Sequence, residues 1–153
     1  MAANVFVYRA IVAPRILEVT VLEVGKKGSA VLVRSPRGAT LLIDAGPDAG
    51  ILRALGMALP IWQRHIDTVV LTSTKNSYVG GLPEVEGRYT VSKRMRIGDK
   101  TAPYGTSLTF DGSRIEIISP GAFSISYGAT SLNISSSTPA NTYVSDGNLI
   151  QTL

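Results

Sequence analysis

The sequence predicts an α/β protein that is mostly β, with a mixed sheet and one or two helices packed on it. Short apolar segments with strand-like patterns recur along most of the chain, and glycine-containing turns separate them. One segment with helical spacing stands between two strongly apolar strands. Such a strand–helix–strand unit makes its two strands parallel, whereas hairpins make theirs antiparallel, so both kinds of pairing are expected in this protein.

Size and composition indicate a folded domain. The chain has 153 residues, of which 44% are hydrophobic and 17% charged. No apolar segment approaches the roughly 20 residues of a membrane-spanning helix, because Arg9 and Arg15 interrupt the N-terminal one. The opening MAANVFVYRAIVAPR is a poor signal peptide, since its apolar part is short and no basic region precedes it. The lack of cysteine excludes disulfides and thiolate metal sites and leaves the compartment open.

Charge divides the sequence into a basic body and a neutral tail. All fifteen Lys and Arg residues lie at or before Arg114, and the residues after it include only Glu116 and Asp146 as charged groups. We therefore distinguish a core, residues 1–118, from a tail rich in Ser, Thr and Asn, residues 119–153. The tail is predicted to be either part of the same domain or an element of assembly.

Three consecutive strands are predicted first. Residues 16–24, ILEVTVLEV, alternate apolar and polar side chains, and SAVLVRS follows after GKKG, residues 25–28, which favours a hairpin turn. PRG, residues 36–38, makes a second turn into ATLLIDAG. That nearly continuous apolar run is typical of a central strand.

The crossover comes next. A short helix is predicted from Pro47 to about Met57, because its apolar residues recur at helical spacing. IDTVVLTS, residues 66–73, is the following buried strand. Residues 80–89 hold one more helical turn, and residues 89–98 are expected to be extended.

Two hairpins complete the pattern. SLTFDGSRIEIIS, residues 107–119, turns at Asp111 and Gly112, a pair favoured in two-residue hairpin loops. AFSISYGATSLNISSS, residues 122–137, turns at Tyr127 and Gly128. Most of the last third of the chain is therefore predicted to be antiparallel strands.

Several of these segments resemble, in order and spacing, the metallo-β-lactamase-like domain of the DNA-uptake channel protein ComEC. The matching blocks are LEVTVLEVG, SAVLVRSPRGATLLIDAGP, ILRALG, LPIWQRHIDTVVLT and VGGLPEV, within about residues 16–120. The resemblance implies a metallo-β-lactamase-like half-sandwich, since the chain has about half of the family's two-sheet fold. It also implies an extracytoplasmic location, although the chain shows no signal peptide.

The metal-binding motif of that family is lost here. In the family, the strand that matches IDTVVLT is followed by HxHxDH and then by Gly-Gly-Leu, and Gly80, Gly81 and Leu82 match the second part. The positions of the three histidines and the aspartate carry, in that order, Ser73, Lys75, Tyr78 and Ser77. Zinc prefers imidazole, thiolate or carboxylate ligands, and an ammonium group repels a divalent cation. We therefore expect neither a metal nor another cofactor.

Further ligand positions also depart from the family. Its DVGQGD-like loop matches EVGKKGS, residues 23–29, so that Ser29 replaces an acidic residue, and its metal-bridging aspartate matches a position near Ser137. Asp44 is retained, and the resemblance gives it a supporting role behind the metal ligands. Without those ligands, we expect Asp44 to cap its loop or the following helix. A second expectation is that the Lys75 ammonium pairs with Asp44 across the former site.

Catalysis without metal has little support in the sequence. Ser73 with Lys75 could be a Ser–Lys dyad, and His65, the sole histidine, could be a general base. However, no GxSxG motif is present, and a polar loop and a surface histidine are the simpler interpretations. We expect Asp67 to cap the start of its strand and not to form an acid–base pair with His65.

A basic stretch is a separate candidate site. Its members are Arg88, Lys93, Arg94, Arg96 and Lys100. Tyr89 and Tyr104 flank it and could stack on bases, while the cations neutralise phosphates. The alternative interpretation is a solvated strand face.

The sequence thus predicts a metal-free, catalytically inactive relative of the domain that works as a structural or interaction subunit. It would self-associate into a homo-oligomer through the strand edges of its neutral tail. A lone sheet would expose an apolar face unless the tail or another subunit covered it. The alternative for the tail is a plain hairpin that closes the monomer. A nucleic-acid-binding module related to DNA uptake and a hydrolase with an atypical site remain as alternative functions.

Overall fold

The computed structural model describes residues 16–25, 28–135 and 137–153. The opening segment and residues 26–27 of the first predicted turn lie outside the described residues. The strands are β1 (Leu17–Val21), β2 (Val31–Arg34), β3 (Thr40–Ile43), β4 (His65–Leu71), β5 (Thr90–Arg96), β6 (Ser107–Phe110), β7 (Ser113–Ser119), β8 (Ala122–Tyr127), β9 (Thr130–Ile134), β10 (Thr142–Ser145) and β11 (Ile150–Thr152). The helices are α1 (Gly50–Ala58), α2 (Asn76–Val79) and α3 (Leu82–Arg88).

The strands form two sheets. The larger sheet has seven strands in the order β11-β10-β1-β2-β3-β4-β5, and the smaller sheet has four in the order β6-β7-β8-β9. β4 is parallel to both β3 and β5, and the other neighbouring pairs are antiparallel. The helices between β3, β4 and β5 carry the chain back to the end of the sheet where each strand begins. The three strands are parallel for this reason. The predicted fold class, mostly β with a mixed sheet and packed helices, is confirmed.

Apolar cores lie on both faces of the larger sheet. The core between the sheets includes Ile43 of β3 together with Ile115 and Phe123 of the smaller sheet. The core beneath the helices includes Leu42 of β3 and Ile51 of α1. β3 is therefore buried on both faces, which explains its uninterrupted apolar sequence.

The predicted hairpins are present. β6 and β7 are joined by Asp111 and Gly112, whose φ angles of 44° and 88° are those of a two-residue hairpin loop. β8 and β9 turn one residue later than predicted, because Tyr127 still pairs with Thr130. Local sequence patterns were therefore sufficient for these elements.

Other parts of the fold were not predicted. β10 pairs with β1, so the tail adds two strands to the larger sheet as well as β8 and β9 to the smaller one. The apolar face that we expected the tail or another subunit to cover is covered by the smaller sheet, and the tail contributes Phe123, Ile125 and Ile134 to that cover. In the described part of the chain, no helix is long and apolar enough to cross a membrane.

Candidate functional site

Asp44 marks the place where the family's site would lie. Asp44 follows β3, and Thr72 follows β4. Because these two strands are parallel, both residues lie at the C-terminal ends of the strands, on the same side of the sheet. Asp44 is completely buried, and its φ of 63° lies in the left-handed region. Aspartate tolerates this conformation better than most residues other than glycine, because its short side chain can bond nearby backbone.

Both side-chain oxygens of Asp44 bind Thr72. Oδ1 accepts a hydrogen bond from the Thr72 N–H at 2.8 Å, and Oδ2 accepts one from the Thr72 hydroxyl at 2.6 Å. The Thr72 Oγ1 in turn accepts a hydrogen bond from the N–H of Gly121 at 2.9 Å. Gly121 lies in the turn between β7 and β8, so this chain of hydrogen bonds joins the two sheets.

The electrostatics of Asp44 are dominated by its burial. Removal of the carboxylate from water raises the pKa of Asp44 from its ordinary value of 3.8 to about 7. The hydrogen bonds from the Thr72 hydroxyl and N–H lower this pKa, but their effect is smaller. The carboxyl group therefore changes charge near neutral pH while it is enclosed between the sheets.

The expected ion pair between Lys75 and Asp44 is wrong. Lys75 is exposed, and both oxygens of Asp44 are occupied by Thr72. A neutral hydroxyl and a backbone N–H satisfy this carboxyl group without the desolvation of an ammonium. The expectation that Asp44 caps its own loop or the following helix is also wrong, because its partner Thr72 stands 28 residues away at the end of β4. At the start of α1 it is Asp48 that accepts a hydrogen bond, from the N–H of Gly50 at 2.9 Å.

Backbone hydrogen bonds hold three segments together here, and the Thr72 hydroxyl joins a fourth at Gly121. This loop cluster comprises residues 28–29, 44–46, 72–78 and 121. Ala45 N–H donates to the Tyr78 carbonyl at 2.7 Å, Gly46 N–H to the Ser29 carbonyl at 3.0 Å, and Ser29 N–H to the Ser77 carbonyl at 3.2 Å. Ser29 and Ser77 thus contribute main-chain atoms to the cluster.

The Gly-Gly pair at the start of α3 is required by close backbone contact. A Cβ on Gly80 would overlap the carbonyl oxygen of Pro47, and one on Gly81 would overlap that of Ala45. The N–H of Gly81 also donates to the Gly46 carbonyl at 2.9 Å. The two glycines let the loop after β4 lie directly on the loop after β3.

The other matched ligand positions are dispersed. Ser73 Oγ accepts a hydrogen bond from the N–H of Lys75 at 3.2 Å, a local turn contact. A Cβ on Gly121 would come within 3.0 Å of Tyr78 Cε1, so the tyrosine ring lies over that glycine. Ser137 is exposed, and its hydroxyl is 2.9 Å from that of Ser135. The structure therefore brings Tyr78 and Asp44 into one cluster but leaves Lys75 and Ser137 at the surface.

The residues of the loop cluster do not suit a zinc ion. Among the described residues, no group of three or more His, Asp or Glu side chains could hold a metal. Asp44 already accepts hydrogen bonds with both oxygens, and hydroxyl and ammonium groups are poor zinc ligands. We assign no metal-dependent chemistry to these loops because of this donor set.

The basic stretch lies along one edge of the larger sheet. β5 is an edge strand, and the exposed cations on it and beside it are Arg88, Lys93, Arg94, Arg96 and Lys100. Arg94 Nη1 is 3.0 Å from Glu86 Oε2 of α3, which partly neutralises the stretch. Four cations of the stretch then remain outside the ion pairs of the described residues.

The two flanking tyrosines are not free stacking platforms. Tyr89 is only 5% exposed and belongs to the core beneath the helices, so its expected role in stacking is wrong. Tyr104 donates its hydroxyl to the Thr72 carbonyl at 2.7 Å, and its ring packs against Gly98. Both aromatic rings therefore support the fold.

A polar cluster at the start of β4 was missed from the sequence. His65 Nε2 lies 3.2 Å from Asp67 Oδ1 and 3.0 Å from Ser92 Oγ, a contact between His65 and Asp67 that we did not expect. Their i, i+2 spacing on one strand, which places side chains on the same face, was the available signal. Both partners contact the same ring nitrogen, whereas a catalytic triad needs opposite nitrogens, so this cluster is not a triad.

Comparison with known proteins shows the fold. No protein-family model matches the chain, and no curated protein matches it. Among solved structures, a HARLDQ-motif mutant of a metallo-β-lactamase from Cronobacter sakazakii matches with a TM-score of 0.51 and 15% identity, covering 71% of this chain and 56% of that one. The metallo-β-lactamase fold protein YhfI from Bacillus subtilis matches with a TM-score of 0.51 and 16% identity, covering 90% of this chain and 62% of that one.

These matches confirm the predicted metallo-β-lactamase-like fold. The chain spans less than two thirds of the length of either structure. At such low identity the likeness extends to the fold alone, and the specific likeness to ComEC stays a prediction.

Proposed function

We propose that this chain is a metal-free protein with a metallo-β-lactamase-like fold that works as a structural or interaction subunit and not as an enzyme. The observation that carries the proposal is the double hydrogen bond from Thr72 to Asp44. A carboxylate engaged in this way stabilises the contact between the two sheets. The hydroxyl, phenol and ammonium groups at the matched ligand positions also support a metal-free protein, since they are poor zinc ligands.

The proposed interaction is pairing of strand edges between copies of the chain. β9 and β11 are edge strands of the tail, and neither carries a charged residue. β9 is the longer of the two, with five residues against three. The opposite edge, β5, carries Lys93, Arg94 and Arg96, and such charges oppose pairing with another chain. These features favour β9 as the site of self-association.

Light scattering coupled to size exclusion, with elemental analysis of the same peak, tests both parts of the proposal. We expect a discrete oligomer that contains no stoichiometric metal. A monomer at every concentration would contradict the self-association. Stoichiometric zinc that survives dialysis would contradict the metal-free assignment and restore a hydrolase as the leading function.

Nucleic acid binding is the second candidate function, and the exposed cations along β5 favour it. The strand presents Lys93 and Arg96 without ion-pair partners among the described residues. Exposed cations of this kind can neutralise phosphates. The candidate relies mainly on charge, because Tyr89 is buried and Tyr104, which is 40% exposed, donates its hydroxyl to Thr72.

A further inference from the structure

Two exposed apolar side chains stand at the tip of one turn between α1 and β4. The N–H of Gln63 donates to the carbonyl of Pro60 at 3.0 Å, so Ile61 and Trp62 are the central residues of a β-turn. We call residues 60–63 the apolar turn. Ile61 is 81% exposed and Trp62 is 80% exposed. The centre of a turn favours Gly, Asn, Asp or Ser, so the geometry of the turn does not explain these two residues.

The apolar turn is held in place by its neighbours. Arg64 Nη1 donates hydrogen bonds to the carbonyls of Ile61 at 2.7 Å and Gln63 at 3.3 Å. The carbonyl of Arg64 accepts a hydrogen bond from the N–H of Thr90 at 2.8 Å, which ties the segment to β5. The tip is therefore ordered before any partner binds, and binding needs little further ordering. The same contacts place the Arg64 guanidinium against the backbone of the apolar turn.

Two arginines accompany the apolar turn. Residues 49–66 contain Arg53 and Arg64 and no Asp or Glu. Arg53 lies four residues before Met57 in α1, which places the two on one face of the helix, and Met57 is 82% exposed. The segment thus combines exposed apolar side chains with two arginines, and the nearest acidic residues in sequence, Asp48 and Asp67, lie just outside it.

We propose that the apolar turn docks this protein on an anionic lipid surface. Ile61 and Trp62 enter the boundary between headgroups and acyl chains, and Arg53 and Arg64 contact lipid phosphates. Tryptophan suits this boundary because its ring is apolar while its indole N–H remains polar. A nucleic acid would stack on Trp62 but would leave Ile61 in water, so lipid accounts for both residues. No residue of the turn belongs to the loop cluster or to the edge strands of the tail, so the inference does not depend on the proposed function.

Fluorescence tests the proposal directly, because Trp62 is the single tryptophan of the chain. The purified protein is mixed with phosphatidylcholine vesicles that either contain or lack phosphatidylglycerol. We expect a blue shift of the emission, quenching by lipids brominated on their acyl chains, and co-sedimentation with the anionic vesicles that weakens as salt is added. Unchanged emission with no co-sedimentation would overturn the proposal, and so would equally strong binding to the neutral vesicles.

A pair of matched variants separates the turn from general hydrophobicity. Ile61→Ser keeps the fluorescent probe and should weaken vesicle binding by about tenfold, the effect of losing one buried aliphatic side chain. Ile118→Ser makes the same change on β7, where the side chain is 54% exposed, and should leave binding unchanged. Equal effects of the two variants would overturn the proposal. A blue shift that grows with protein concentration in the absence of vesicles would also overturn it, in favour of contact between copies at the turn.

Discussion

At Asp44, burial and hydrogen bonding act in opposite directions on one carboxyl group. Burial has the larger effect and raises the pKa from 3.8 to about 7. Between these two values, the folded protein keeps a proton on Asp44 that the unfolded chain has released. The free energy of unfolding therefore decreases as the pH rises through this range, and the change is complete above the folded pKa.

The variant Asp44→Asn should remove this pH dependence. The amide oxygen can still accept the Thr72 N–H, but the amide does not titrate. We expect wild-type stability to fall from about pH 4 to about pH 7, the range between the unfolded and folded pKa, and the stability of the variant to stay nearly level. Denaturant unfolding at a series of pH values measures both. The control Asp48→Asn, a change at an exposed site, should keep the wild-type dependence of unfolding free energy on pH. If Asp44→Asn also kept this dependence, its assignment to Asp44 would be refuted.

Gly81 should tolerate no side chain, whereas Gly87 should. A Cβ at Gly81 would overlap the Ala45 carbonyl, and no atom lies within 4 Å of a Cβ at Gly87. We expect Gly81→Ala to destabilise the protein by about 1 to 3 kcal/mol through overpacking. The control Gly87→Ala, in α3, should stabilise it by about 1 kcal/mol through helix propensity. Denaturant midpoints compare the stabilities of the two variants. If both substitutions changed stability in the same direction, the close contact between Gly81 and the Ala45 carbonyl would be contradicted.

At the scale of the elements, the sheet edges differ in what they can do. β5 is long and charged, which keeps it solvated and opposes strand addition. β9 is uncharged and ends one side of the smaller sheet. These two strands therefore carry the two candidate functions separately, and each can be changed without the other.

A lysine on β9 should prevent self-association. Asn133 is exposed on this edge, and Asn133→Lys adds a charge that another strand would have to desolvate. We expect light scattering to show loss of the oligomer for this variant. Ser124→Lys makes the same addition at the cross-strand partner of Asn133 on the inner strand β8 and should leave the oligomer intact. An oligomer that survives Asn133→Lys would place the interface elsewhere.

Changes on β5 test nucleic acid binding. If the basic edge binds phosphates, Lys93→Ala combined with Arg96→Ala should weaken binding to single-stranded DNA at every sequence and reduce its salt dependence. Arg53→Ala removes a cation from α1 and is the control. Fluorescence anisotropy over a salt series provides the measurement. Binding that is absent at low salt, or that is unchanged by the double variant, would eliminate this function.

At the scale of the whole molecule, the chain closes its own core. The smaller sheet covers one face of the larger sheet, and the helices cover part of the other. The outer side of β7 carries Arg114, Glu116 and Ile118 as exposed residues. A sheet with one largely polar face can remain in contact with water, so that face needs no covering helix.

Zinc should have no effect on the stability of this molecule. A ligand that binds the folded state and not the unfolded chain raises the melting temperature, and the rise increases with its affinity and concentration. Because the loop cluster lacks suitable donors, we expect thermal unfolding to be the same with added zinc and with a chelator. Thermal unfolding followed by circular dichroism measures this. A rise in melting temperature with zinc, reversed by the chelator, would contradict the metal-free assignment.

The strands that the sequence predicted are those whose signals are local. β7 alternates buried and exposed residues along SRIEIIS, and Asp111 with Gly112 specifies the turn before it. β10 and β11, with sequences TYVS and IQT, are too short to show a pattern and depend on pairing with β1 and with one another. Asp44 could be singled out from the sequence, but its partner could not. Thr72 stands 28 residues away, and only the parallel pairing of β3 and β4 brings the two together.

Local spacing of apolar residues and turn residues was enough to define the mixed sheet, the crossover helix and the hairpins, because these signals act between near neighbours. The same sequence also showed which metal-ligand residue types are missing after β4. The choice of Thr72 over Lys75 as the partner of Asp44, the burial of Tyr89 and the exposure of Trp62 came from tertiary packing. Each of these depends on contacts between distant segments, whose free energy is set by how the sheets and helices exclude water together.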